Sequence, residues 1–158
     1  MCIRDRITPA VEELRDRFDF PGMKILHFAF DSGSDNLYLP HNLVRNYVVY
    51  TGTHDNDTTV GWYWSRSSDE QANVTRYLGY QSADGIQWDL IRTAWSSVAN
   101  VAIAPVQDLL GLGSDCRFNL PGAAMGNWAW RLWPGALDQD WLRDRLREFT
   151  GLYGRWRA

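Results

Sequence analysis

Short apolar runs alternate with amphipathic stretches along this chain, and that alternation already narrows the fold. Thr8 is a good helix N-cap, Pro9 suits the first helical position, and Glu12 falls in the first turn. Val11, Leu14 and Phe18 continue as an apolar stripe at helical spacing, and Phe20-Pro21-Gly22 ends the helix. Residues 24–30 form an apolar run bounded by Asp31-Ser32-Gly33-Ser34, the pattern of a strand covered on both faces. Residues 35–46 read as a loop. A second apolar strand at 47–50 runs into the polar stretch Thr51-Gly52-Thr53-His54-Asp55-Asn56-Asp57. Helices are expected at 58–64, 69–78 and 86–99, a third strand at 100–105, and a short turn at 107–111. A loop rich in glycine and asparagine follows at 118–128. The last helix starts near Asp138, with Trp141, Leu142, Leu146 and Phe149 on one face and charged residues on the other.

Strands alternating with helices specify an α/β fold with a parallel sheet. Three strands do not close a barrel, and a full (β/α)8 barrel takes about 250 residues. The chain is therefore a small open sheet or part of a barrel. The polar clusters at 31–35, at 54–57 and at Gln107-Asp108 all fall just beyond the C-terminal ends of expected strands, where barrel enzymes carry their active sites.

Composition removes other classes. The chain has 158 residues, 45% hydrophobic and 22% charged, which fits one domain with a real core and excludes disorder. A net charge of −3 with interspersed signs gives no nucleic-acid footprint and no basic membrane patch. No apolar run approaches the roughly 20 residues of a membrane span, and no signal-peptide pattern is present. Cys2 and Cys116 make no disulfide framework and are expected to be reduced thiols. Nine tryptophans and seven tyrosines are a high aromatic load, suited to filling a core or to stacking on sugar rings.

His54-Asp55-Asn56-Asp57 is the densest chemical cluster. Cleavage at an anomeric carbon passes through an oxocarbenium-like state, which nearby carboxylates stabilise and which hydrogen bonds to ring hydroxyls favour. A His-Asp pair at a strand end can supply both. The same residues also fit a plain role, with Asp55 or Asp57 capping the next helix and His54 satisfied within a loop. His27 reads as a hydrogen-bonded core histidine, and His41 as a loop residue facing solvent or substrate. No zinc spacing or phosphate-binding glycine loop occurs. The sequons at Asn56 and Asn73 accompany no secretory signal.

The run from Tyr50 through Thr53-His54-Asp55-Asn56-Asp57 to Gly61-Trp62 resembles the seventh-strand motif of the 4-alpha-glucanotransferase (amylomaltase) family, glycoside hydrolase family 77. Ile7-Thr8-Pro9 with Val11 is similar to the segment after the family's fifth strand. Phe30-Asp31, Asn36 and Tyr38-Leu39-Pro40-His41-Asn42 resemble the sixth-strand loop, and Gln107-Asp108-Leu109-Leu110-Gly111 the eighth. Asn119, Pro121-Gly122 and Gly126-Asn127-Trp128 with Trp130-Arg131 complete the series in family order.

The resemblance implies that residues 7–158 are the C-terminal portion of a catalytic (β/α)8 barrel, holding about three of its parallel strands. Asp55 matches the third catalytic carboxylate, a transition-state stabiliser, and His54 the neighbouring hydroxyl ligand. Phe30 and Asp31 match an acceptor-side loop, Asn56 of the same strand-end cluster is expected to bind substrate with them, and Asn119 matches an asparagine near bound glucan. The implied substrates are α-1,4-glucans such as maltooligosaccharides, with no cofactor, metal, nucleic acid or membrane involved, in a bacterial cytoplasm or a plastid. The family's nucleophilic aspartate lies on its fourth strand, ahead of anything here. Its acid/base glutamate precedes the Ile-Thr-Pro segment, at a position held by Cys2. Residues 1–6 match nothing in the family and are expected to be a non-native leader, and the chain alone is expected to be inactive. Two rivals are an aromatic-rich carbohydrate-binding module and part of an α-amylase-type glycoside hydrolase.

Overall fold

The computed structural model describes residues 8–156; the expected leader at 1–6 and Cys2 lie outside them. Among these residues the α-helices and strands follow in chain order: α1 Pro9–Arg17, β1 Gly22–Ile25, β2 Tyr47–Tyr50, α2 Thr59–Trp64, α3 Ser68–Leu78, α4 Ile86–Ser96, β3 Val101–Ile103, α5 Val106–Leu109 and α6 Asp140–Leu152. The three strands pair in the order β1-β2-β3, all parallel, with Met23 beside Val48 and Val49 beside Ala102. Parallel neighbours need long crossovers. Residues 26–46 make the first, and α2, α3 and α4 together make the second.

The centre of the sheet is the best-buried part. Val49 on β2 is fully enclosed and packs with Leu26, Phe30, Leu39, Trp62, Val74 and Leu90. The α4 helix serves two cores. Ile86, Leu90 and Ala94 face the sheet, while Trp88 and Ile91 meet Leu142 and Phe149 of α6. Trp88 and Phe149 meet edge to face at 5.6 Å, a favoured aromatic geometry. Trp141, grouped with the buried face of α6 by its spacing, is half exposed, although it still touches Trp88.

Local chemistry sets the helix ends. Ser67 and Glu70 close a reciprocal capping box at the start of α3, and Gly79 ends that helix with φ +74°, a left-handed geometry that suits a residue without a Cβ. The α4 helix stops at Ser96, three residues short of the expected end. There Arg155 reaches back and donates to the carbonyls of Ala94, Trp95, Ser97 and Ala99. The third strand is also shorter than expected, because Pro105 has no N–H to donate and instead precedes α5.

Two departures matter for the site. The apolar run 24–30 is not one strand: the chain pairs as β1 only to Ile25 and then tightens into a 3₁₀ turn over Leu26–Phe28. Apolar runs do not distinguish a buried strand from a buried turn. The apolar stripe of α1 faces solvent, with Val11, Leu14 and Phe18 each more than half exposed. Among the described residues, no helix is long and apolar enough to cross a membrane.

Candidate active site

The segments leaving the C-terminal ends of the three strands converge, as the positions of the polar clusters led one to expect. Beyond β1 come the 3₁₀ turn and Asp31; beyond β2 come residues 51–58; beyond β3 come α5 and the 114–128 region. Between them lies a cleft of about 280 Å³, lined among others by Phe30, Asp31, Asp55, Asn56, Trp62 and Arg117.

Asp55 sits on this cleft with its carboxylate half exposed and held on one oxygen. Asn119 donates from Nδ2 to Oδ1 at 2.6 Å, and His54 Nε2 lies 3.3 Å from the same oxygen. Asn119 belongs to a loop 64 residues further along the chain, and that loop is itself fastened. Arg117 donates from Nε to the Asn119 carbonyl and from Nη2 to the Asp55 carbonyl, both at 2.7 Å. One guanidinium therefore fixes the backbones of both partners. Arg117 gave no signal in the sequence, because only the folded chain brings residue 117 to residue 55.

Capping of α2 falls to Thr58, whose Oγ1 accepts from Gly61 N. The plain reading of Asp55 as a helix cap therefore does not hold. Asp57 is tied up elsewhere, accepting from Thr58 N at 2.8 Å and from Ser114 Oγ at 2.7 Å. Asn56 turns its side-chain oxygen inward, where Thr53 donates to it from both backbone N and Oγ1. Its hydrogen-bonding oxygen thus shapes the 53–56 turn while the residue lines the cleft.

Asp31 is exposed, and Asn36 Nδ2 donates to it at 3.1 Å. Phe30 is 7% exposed and belongs to the core, packed on Trp62 and Tyr77, so it is a wall of the cleft more than an open platform. Of the tryptophans, Trp62 and Trp88 fill cores. Trp128 instead lies half exposed, 5.3 Å from the His54 ring, and adopts φ +61°, a backbone region costly for a residue with a large side chain.

His27 and Asp108 lie underneath. His27 is buried, as expected for a core histidine, but in the turn and not in a strand. It stacks flat on Trp62 at 4.6 Å, and burial holds its pKa down to about 3, so the ring is neutral. Asp108 is wholly enclosed and burial raises its pKa, opposed by hydrogen bonds from Thr51 and Thr59. Gln107 is also buried and donates to Cys116 O. His41 bonds Tyr77 Oη through Nδ1 at 2.9 Å, away from Asp55. Among the described residues, no group of three or more His, Cys, Asp or Glu is placed to hold a metal ion.

Comparison with known proteins places this chain in a family. The family model for 4-alpha-glucanotransferase matches residues 5–136. The 4-alpha-glucanotransferase of Synechocystis sp. is 63% identical over 150 residues, which cover 94% of this chain and 30% of that protein. The chloroplastic/amyloplastic 4-alpha-glucanotransferase of Arabidopsis thaliana is 48% identical over 152 residues, covering 94% of this chain and 26% of its own length. Among solved structures, the amylomaltase of Streptococcus agalactiae in complex with acarbose superposes with a TM-score of 0.89 at 33% identity, over 94% of this chain and 30% of that one. The chain thus spans about a third or less of the length of these relatives. The family model matches well over half of the chain, and this chain belongs to the 4-alpha-glucanotransferase family.

Proposed function

We propose that this chain forms the last three strand-and-helix units of a (β/α)8 barrel in a retaining 4-alpha-glucanotransferase, and that Asp55 stabilises the transition state there. The observation that carries this reading is the Asp55 carboxylate on the cleft at the end of β2, braced through one oxygen by Asn119 and His54. A braced, half-exposed carboxylate on a cleft is suited to a developing oxocarbenium ion. In such an enzyme one carboxylate attacks the anomeric carbon while an acid protonates the leaving oxygen. The glycosyl-enzyme bond then breaks as another sugar hydroxyl attacks. Asp55 takes neither role: it offers negative charge and a hydrogen-bond acceptor for sugar hydroxyls, and His54 and Asn119 orient it. Asp31, across the cleft, faces the acceptor side. The substrates on this reading are α-1,4-glucans of the maltooligosaccharide type, and no cofactor is required.

Two measurements test it. The 158-residue chain incubated with maltotriose should yield neither glucose nor longer oligomers, because it supplies the stabiliser without the nucleophile. A chimera in which this chain replaces the matching segment of the Synechocystis relative should disproportionate maltotriose. Sustained turnover by the isolated chain, or a chimera that folds but is inactive, would show that the chemistry has been misplaced.

A further inference from the structure

Asp108 is 0% exposed, and nothing in the chemistry above employs it. Its partners are three donors from two residues. Thr51 Oγ1 donates to Oδ2 at 2.6 Å, Thr59 Oγ1 donates to the same oxygen at 2.7 Å, and Thr59 N donates to Oδ1 at 2.7 Å. Those two residues bracket the segment that carries His54 and Asp55: Thr51 follows the last residue of β2, and Thr59 is the first of α2. Both ends of the 52–58 segment are therefore fastened to one carboxylate that arrives from beyond β3.

The third strand end joins through His27. Its Nε2 lies 2.9 Å from Thr59 Oγ1. The Thr59 hydroxyl has a single proton and gives it to Asp108, so it accepts from His27, and the imidazole carries its proton on Nε2. The other ring nitrogen, Nδ1, is buried without a hydrogen-bond partner among the described residues. The ring is clamped between Trp62 on one side and Gly52, where a Cβ would come within 2.6 Å of Cε1. Donation runs one way, from His27 through Thr59 to Asp108, and Thr51 donates to the same Asp108 oxygen.

We propose that Asp108 is a positioning residue, which sets the location of Asp55 by holding Thr51 and Thr59 at the two ends of the segment that bears it. The inference rests on the reading of Asp55 given above for its catalytic consequence. The geometry is specific to this role: a buried carboxylate is costly unless its hydrogen bonds are met, and among the described residues every bond it accepts comes from the ends of that one segment. Misplacement of a reacting group by about 1 Å costs on the order of a hundredfold in rate.

The test uses the 158-residue chain and no sugar chemistry, so its failure is separate from failure of the proposed function. Amide hydrogen exchange and NMR are recorded for the native chain, Asp108→Asn, Thr51→Val and Thr51→Ser. Valine keeps the shape of Thr51 without its hydroxyl, whereas serine keeps the hydroxyl. In Thr51→Val and Asp108→Asn, exchange at the Thr53 and Asn56 amides should rise by about tenfold or more, the effect of leaving buried partners unpaired. The His54 and Asp55 side-chain resonances should move with it, exchange in α3 and α6 should stay at native rates, and Thr51→Ser should behave as native. Nitrogen NMR of His27 should show the proton on Nε2. The proposal is overturned if Thr51→Val leaves residues 53–57 unchanged, if exchange rises equally in α3 and α6, or if Thr51→Ser behaves like valine. Should Asp108→Asn fail to fold, the Thr51 pair decides on the same terms.

Discussion

Replacing Asp55 with asparagine separates the proposed chemistry from folding, because the two effects differ greatly in expected size. The Asp55 side chain is 45% exposed, so the change removes no buried charge. Asparagine keeps an oxygen where Asn119 Nδ2 donates at 2.6 Å and where His54 Nε2 approaches at 3.3 Å. The cap of α2 is Thr58, which the substitution does not touch. The folding cost should therefore stay below about 1 kcal/mol, the scale of an exposed ion pair. The catalytic loss should be far larger. Removing a dedicated electrostatic group costs about 3–4 kcal/mol, on the order of a thousandfold, and the loss should fall on kcat because the positive charge exists only in the transition state. The assay is maltotriose disproportionation by the chimera with the Synechocystis relative, with kcat and thermal midpoint measured on the same preparation. A variant that retains kcat while its midpoint falls would refute the reasoning and return Asp55 to a structural role.

Three further outcomes follow from named contacts. Gly52→Ala forces a Cβ to within 2.6 Å of the clamped His27 ring, and should lower stability by about 1–3 kcal/mol in thermal melts; an unchanged midpoint would mean that the ring is free to move. Arg155→Ala leaves four carbonyls around the end of α4 without their donor and should cost about 2–3 kcal/mol, with Arg155→Lys intermediate by denaturant titration. His27 protonates near pH 6.5 when unfolded but only near pH 3 when folded, so between these values the unfolded chain binds more protons and acid favours unfolding. Stability should fall as pH drops through that window, by at most about 1.4 kcal/mol per pH unit. The buried Asp108 carboxyl works in the opposite sense above its ordinary value, because the folded state holds its proton more readily. His27→Gln should flatten the acid limb of a stability–pH curve, and an unaltered limb would remove His27 as its cause.

What the sequence disclosed, and what it withheld, follows from the range of each interaction. The strand at 47–50 and the amphipathic α3 and α6 are written in local periodicity and were legible. So was the crowding of Asp31 and the 54–57 cluster beyond strand ends, since parallel strands deliver their following loops to one side of the sheet. The pattern failed where burial alone was the signal: Leu26, His27 and Phe28 are apolar or enclosed, yet they turn where a strand was expected. The sequence offered Asp55 or Asp57 as the cap of α2 and began that helix at Thr58, whereas the folded backbone makes Thr58 itself the cap. Arg117 and the burial of Asp108 were invisible for a different reason, as their meaning lies in partners about 60 residues away.

That distance also shapes how the chain acquires its form. Asp55 and Asn119 are 64 residues apart, Thr51 and Asp108 57, and His27 and Thr59 32. Closing such spans costs chain entropy before any bond repays it, whereas the Ser67–Glu70 box closes over three residues. Helices with local caps can take shape early, while the corner around Asp55 waits for distant sequence. During synthesis, with the N-terminal end emerging first, a ribosome releases Asp55 64 residues ahead of the asparagine that will hold it.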